Sequence, residues 1–118
     1  MPSMKLLTVG LLLVARVGAC RQSTEPAVAI TVTLESSHVT ATVGDTVTFT
    51  VRANGNNLIG MVVDYGDSVF EQYATGGAHT ARVTFKHAYL TIGNYTVRAV
   101  ITDAIMGEKE VTVAVRVM

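Results

Sequence analysis

Apolar and polar residues alternate with a period of two over most of this chain. Val28, Ile30, Val32 and Leu34 alternate with Ala29, Thr31, Thr33 and Glu35, which predicts a strand with one buried face. Residues 38–43 continue it beyond Ser36-Ser37, either switching sheets or bulging, and Gly44-Asp45 predicts a turn. Residues 46–53 give the cleanest strand, with Val47, Phe49, Val51 and Ala53 inward and Thr46, Thr48, Thr50 and Arg52 outward. Asn54-Gly55-Asn56-Asn57 is expected to turn the chain, since these residues tolerate positive φ. The nearly all-apolar residues 58–65 predict a central strand covered on both faces, ended by Gly66-Asp67-Ser68.

Residues 69–75 predict a short, weaker strand that stops at Gly76-Gly77. Three clear alternations follow, through Ala81, Val83 and Phe85, through Tyr95, Val97, Ala99 and Ile101, and through Val111, Val113, Val115 and Val117. A hairpin loop over residues 103–107 separates the last two. No stretch sustains a helical period. About seven short strands at this spacing predict an all-β, two-sheet antiparallel sandwich.

Composition agrees, with Val and Thr prominent as strands prefer. The chain has 118 residues, 9 basic and 9 acidic. That suits a single domain and supplies no basic patch, so nucleic acid is not expected as a partner. A sandwich over residues 28–118 buries only roughly 60–70% of its unfolded surface, leaving little spare stability.

The first twenty residues do not fit the strand pattern. Lys5 stands before an apolar run through Leu6, Leu7, Val9, Leu11, Leu12, Leu13 and Val14, and small residues follow. These are the parts of a secretory signal, and the run is too short for a bilayer, which takes roughly 20 apolar residues. Val17-Gly18-Ala19-Cys20 resembles the lipobox of bacterial lipoproteins. That resemblance implies cleavage of residues 1–19, acyl chains on Cys20 and attachment to a membrane at the cell envelope. Cys20 is the only cysteine, so no intrachain disulfide is available to it. Arg16 departs from the usual pattern, and Val17 and Ala19 also satisfy ordinary signal-peptidase cleavage. Residues 20–27 are polar, contain Pro26 and predict a short tether. Arg21 stands where an inner-membrane retention signal shows Asp, which by analogy favours the outer membrane.

Two groups of residues resemble the PKD domain, an immunoglobulin-like sandwich of bacterial surfaces. Val63-Asp64-Tyr65-Gly66-Asp67-Ser68 is similar to the family's Trp-Asp-Phe-Gly-Asp-Gly. His87-Ala88-Tyr89, then Gly93-Asn94-Tyr95-Thr96-Val97 and Thr102-Asp103, are similar to its second hallmark. Val43-Gly44-Asp45-Thr46-Val47-Thr48-Phe49 also looks like its second strand. Val63, Ser68 and Ile92 depart from the pattern, in place of Trp, Gly and Pro. The resemblance implies structural roles for Asp64, Tyr65, Gly66, Asp67, Tyr89, Gly93, Tyr95 and Asp103. Tyr95 is expected to act as a core anchor whose hydroxyl ties back to upstream backbone, as in a tyrosine corner.

Candidate chemistry is sparse. Asp64 and Asp67, with Asp45, Asp103 or Asn54, could form a calcium site of the kind some PKD-like domains carry. Turn capping by the Asp side chains is the simpler expectation, because calcium takes six to eight oxygens and no EF-hand spacing is present. His79 and His87 lie roughly 26 Å apart along one strand at ~3.3 Å per residue. They cannot share a metal within it, and surface or strand-end positions are expected for the histidines. No serine sits in a Gly-x-Ser-x-Gly setting. No catalytic residue, cofactor or metal is therefore expected. Ile105 and Met106, at a hairpin tip, either dock on a partner or pack over the end of the sandwich. The expected role is a non-catalytic envelope module that binds protein or polysaccharide or acts as a scaffold. The alternative is an accessory domain or fragment of a secreted hydrolase system.

Overall fold

A computed structural model describes residues 27–118. The expected signal segment 1–19, Cys20 and the tether as far as residue 26 lie outside the described residues.

Six strands make up the fold: β1 (Thr31–Ser36), β2 (Thr40–Ala41), β3 (Thr46–Asp64), β4 (Phe70–Ala88), β5 (Gly93–Asp103) and β6 (Gly107–Val117). β3 is their spine. β4 pairs antiparallel along one of its edges over almost the whole length. The opposite edge is shared: β1 pairs with residues 49–54 and β5 with residues 58–64. β6 pairs antiparallel with β5, and β2 joins β6 in parallel. The crossing from β1 to β2 is thus a change of layer, one of the two outcomes left open for residues 38–43.

The all-β sandwich is present, but its strands are divided differently from expectation. Asn54-Gly55-Asn56-Asn57 does not end a strand, and neither does Gly76-Gly77. Both lie inside long strands, where register shifts fall between Asn54 and Leu58 and between Leu58 and Gly60. Three residues of β3 face one of β4 at the first shift, and three of β4 face one of β3 at the second. The bulges bend the paired ribbon sharply while leaving its register the same on both sides. The predicted turn residues serve as corners, because bulges and turns draw on the same backbone freedom.

Folding the ribbon at this corner stacks the two layers and closes the core. Val47, Phe49, Val51 and Ala53 are buried as the alternation predicts, together with Val97, Ala99, Ile101, Val115 and Val117. Each large side chain of this kind contributes about 1.5–3 kcal/mol on full burial. The segment 58–64 is central but covered on one face only. Leu58, Met61 and Val63 are buried, whereas Ile59 is 47% exposed and Gly60, Val62 and Asp64 are half-buried. Among the described residues no third layer covers the outer face of this layer.

Two poles result. The corner pole holds residues 54–59, residues 75–80 and the β5–β6 turn. The chain enters there: Val28 N–H donates to Asn56 Oδ1 at 2.9 Å, and Asn56 Nδ2 donates to the Val28 carbonyl at 2.8 Å. The other pole holds the β3–β4 turn and the approach to β5. At the corner, a Cβ on Gly55 would sit 2.5 Å from Asp103 Oδ2 and 2.7 Å from Leu58 Cδ2. Gly55→Ala is therefore expected to lower stability by about 1–3 kcal/mol, the cost of overpacking. Urea unfolding reads this directly, and an unchanged midpoint would contradict the tight corner.

Candidate functional site

Because the ribbon folds back on itself, the tip of the β3–β4 hairpin reaches its own base. Tyr65 at the tip lies parallel to His87 near the base, with ring centroids 4.0 Å apart and planes 3° apart. Phe49 flanks Tyr65 at 5.6 Å, and Tyr89 meets His87 edge-on at 4.7 Å. Tyr95 extends the row, stacked on Tyr89 at 4.3 Å. Offset stacks and edge-to-face pairs are the arrangements aromatic rings prefer. Polar bonds fix the row in place. Tyr89 Oη donates to the buried Tyr65 carbonyl at 2.8 Å, and His87 Nε2 lies 2.6 Å from Asp67 Oδ2.

The turn between the strands is built to enter this clasp. Asp64 Oδ1 accepts from Gly66 N–H at 2.9 Å, and Asp67 Oδ1 accepts from Val69 N–H at 3.3 Å. Gly66 has φ +85°, and a Cβ there would stand 2.7 Å from the Thr96 carbonyl, so only glycine lets the turn lie against β5. Ser68 also has positive φ, 76°, at the position where the PKD pattern carries glycine.

Tyr95 makes the expected tie to upstream backbone, but from the margin of the core. It is half-buried, while Tyr65 and Tyr89 are 0% and 1% exposed and hold the core positions. Its hydroxyl donates to the Thr91 carbonyl at 2.8 Å, with Thr91 Oγ1 at the same distance. Gly93 opens β5 beside the Tyr95 ring, 3.5 Å from a would-be Cβ. His87 stands at a strand end, one of the two expected positions, but as a partly buried member of the aromatic row. The parity of Ala81, Val83 and Phe85, extended by one step, points it inward and was the available signal.

Asp103 is separated from the other carboxylates. It lies opposite Leu58 in the β3–β5 register, six strand positions and roughly 20 Å from Asp64 at ~3.3 Å per residue. Its side chain is buried at the corner pole. Oδ2 accepts from Asn56 and Asn57 N–H at 2.6 and 2.8 Å, and Oδ1 from Ile105 and Met106 N–H at 2.8 and 3.0 Å. Burial pushes this carboxyl up. The N–H donors of Asn57, Ile105, Asn56 and Met106 outweigh burial and hold it at about 2, below an ordinary 3.8.

These side chains are thus engaged with the fold. Asp45 Oδ2 likewise accepts from Thr42 N–H at 3.0 Å. No group of three His, Cys, Asp or Glu gathers to hold a metal ion among the described residues. Ser37 Oγ lies 2.8 Å from His38 Nδ1, but it also accepts from Thr48 N–H at 2.9 Å and is exposed on a turn. Burial pushes the Tyr65 and Tyr89 phenols well above their ordinary value, which keeps them protonated.

What faces outward is the edge of β4. Odd-numbered residues of this strand bond to β3, as Tyr65 N–H to the Val69 carbonyl at 3.0 Å shows at the turn. Alternation in an antiparallel ladder then leaves Phe70, Gln72 and Ala74, and beyond the corner Thr80, Arg82, Thr84 and Lys86, with backbone groups on the open side. Arg82 and Lys86 guard the second half, as charges do on edge strands. The first half carries a single charge, Glu71. Phe70 is 59% and Tyr73 50% exposed there, and a shallow groove of about 550 Å³ runs between Ile59, Gly60, Gln72, Tyr73 and Thr102.

The fold has relatives of known structure. The PKD domain of an M14-like peptidase from a Thermoplasmatales archaeon matches with TM-score 0.62 and 23% identity, over 80% of this chain and 98% of that one. The CARDB domain of the PF1109 protein from Pyrococcus furiosus, a complex with di-metal ions, matches with TM-score 0.61 and 14% identity, over 76% and 88%. The PKD domain of the human VPS10 domain-containing receptor SorCS2 matches with TM-score 0.56 and 22% identity, over 82% and 80%. No family model and no curated protein matches the sequence. The chain has the immunoglobulin-like sandwich fold of PKD domains.

Two predictions come from this geometry. Tyr65 Oη is buried and makes no hydrogen bond within normal geometry among the described residues, although the Glu71 carboxylate is near enough to raise its pKa, whereas Tyr89 Oη is bonded. Tyr89→Phe is expected to cost about 1–3 kcal/mol by orphaning a buried carbonyl, and Tyr65→Phe to be neutral or stabilising. Equal losses in chemical denaturation would refute the distinction. For Asp103, a depressed folded-state pKa means stability is fully present above pH ~3.8 and falls as pH drops towards ~2. Asp103→Asn is expected to be less stable at neutral pH and to flatten that acid slope, as read by unfolding midpoints from pH ~5 to ~2.

Proposed function

We propose that this chain is a non-catalytic envelope lipoprotein whose sandwich binds protein or polysaccharide or serves as a scaffold. One observation carries the reading: the motif carboxylates and tyrosines serve the fold, while the first half of β4, with Glu71 its one charge, presents an open edge, Phe70, Tyr73 and a groove. An open edge accepts an extended chain through backbone bonds, and side-chain pockets beside it supply selectivity. The solved relatives fit this use, since each is one domain of a larger protein. The lipobox-like Val17-Gly18-Ala19-Cys20 supports export, cleavage after Ala19 and acylation of Cys20. Two or more acyl chains give stable attachment where one does not. Arg21 supports the outer membrane over the inner.

A second reading is an accessory domain in a secreted hydrolase system. The likeness to the PKD domain of an M14-like peptidase favours it. The two separate by experiment: an accessory role predicts that adding this protein speeds a hydrolase on immobilised substrate without itself cleaving it.

The binding reading is tested with the mature protein on purified cell-wall polysaccharide and on envelope proteins of the producing cell. Retention is expected, with loss in Tyr73→Ala at an unchanged melting temperature. Two blank results, or retention indifferent to Tyr73→Ala, would reject the edge as the binding surface.

A further inference from the structure

The corner pole differs from the rest of the surface in its charge. Across residues 54–59, 75–80 and 103–107 the only Asp, Glu, Lys or Arg is Asp103, and the charges of Glu108 and Lys109 begin on the next rungs of β6. Its carboxylate is already out of water and satisfied by four backbone N–H groups. The remaining polar groups are Asn and Thr side chains, His79 and glycine backbone. Above them stand three large apolar side chains: Ile59 is 47%, Ile105 61% and Met106 45% exposed. The expectation left two fates for Ile105 and Met106, and they do not pack down over the end of the sandwich. Asp103 accepts from both of their N–H groups, so the turn that projects them is held rigidly.

The chain enters the domain at this same pole. Val28, itself 53% exposed, is fixed by both of its backbone groups to Asn56. Eight residue steps separate it from Cys20, a reach of no more than about 29 Å at ~3.6 Å each. An acylated Cys20 therefore keeps the corner pole within that reach of the bilayer and sets no such limit on the pole with the clasp. The clasp pole also has exposed apolar side chains, Leu90 at 82% and Ile92 at 71%. It also carries Asp45 and Arg116, both exposed, whose charges water solvates.

We propose that the corner pole is a membrane-contact surface, with Ile59, Ile105 and Met106 seated in the interfacial region of the phospholipid layer that holds the lipid on Cys20. This rests on the lipid-anchor reading above and adds the domain's orientation to it. Apolar side chains enter that region readily from a rigid turn whose own carboxylate, Asp103, is already out of water, the first solvated charge behind them being Glu108. Their contribution adds to that of the acyl chains and fixes which end of the domain faces outward. The β4 edge then stands roughly upright on the membrane, reachable from the side.

The test uses the full mature protein, extracted from cell membranes and reconstituted in phosphatidylethanolamine–phosphatidylglycerol vesicles. Ile105→Cys and Leu90→Cys are labelled separately with a polarity-sensitive fluorophore, and the N-terminal peptide of the same sample is weighed by mass spectrometry. Acylation ties up the Cys20 thiol, leaving the introduced thiol to react. The expected result is a blue-shifted emission at position 105, quenched by a lipid-borne quencher, with position 90 remaining aqueous. Met106→Cys is expected to repeat the result at position 105, and thermal melts confirm that each variant folds. Acylated Cys20 with both labels equally aqueous would overturn the orientation and leave the anchor standing. An unmodified Cys20 in a protein that washes off the vesicles would overturn the anchor and the orientation with it.

Discussion

The ribbon formed by β3 and β4 holds because its tip grips its base. Tyr65, which closes β3, is bonded through its carbonyl to Tyr89 and stacked on His87, residues that follow it by more than twenty positions. Without that closure the two layers would be joined by the bent ribbon, the β1–β2 crossing and core packing alone. Strand pairing alone gives a sheet, and the clasp converts the sheet into a sandwich by fixing where its far end lands. The ring row does this with little side-chain entropy to lose, since each aromatic has only two rotatable bonds.

The opposite pole solves a different problem. A bulge of three residues frees backbone N–H groups that no neighbouring strand can accept, and buried N–H groups need partners. Asp103 meets that need from β5, taking two N–H groups of the β3 corner and two of the β5–β6 turn. A charged acceptor makes stronger bonds than a neutral one, which is why a carboxylate is tolerated at 1% exposure. Gly55 completes the arrangement by leaving room for it. One side chain thereby couples the bend in the ribbon to the hairpin that projects Ile105 and Met106.

These internal uses redefine the surface. The acidic motif that first suggests a cation site is directed at backbone amides and at His87. What remains for other molecules is backbone along the β4 edge and apolar side chains at the corner. Both are weakly marked in any sequence. An edge strand reads like any other strand, and an exposed isoleucine reads like a buried one.

The alternation of residues determined the class of fold, the inward faces of β3, β5 and β6, the turn at Gly66-Asp67-Ser68 and the hairpin loop after Asp103, because local pattern and strand pleat share a period of two. The motif residues also located the two tight places in the fold. Tertiary structure alone decided that Asn54-Gly55-Asn56-Asn57 bends a strand instead of ending it. The same residues suit either outcome, and only the partner across the ladder selects one. It alone decided that Tyr89, not Tyr95, occupies the core, that His87 joins Asp67, and that Asp103 stands roughly 20 Å along the strand from Asp64. Those are meetings between residues far apart in the chain, and they exist only once the ribbon has folded at its corner.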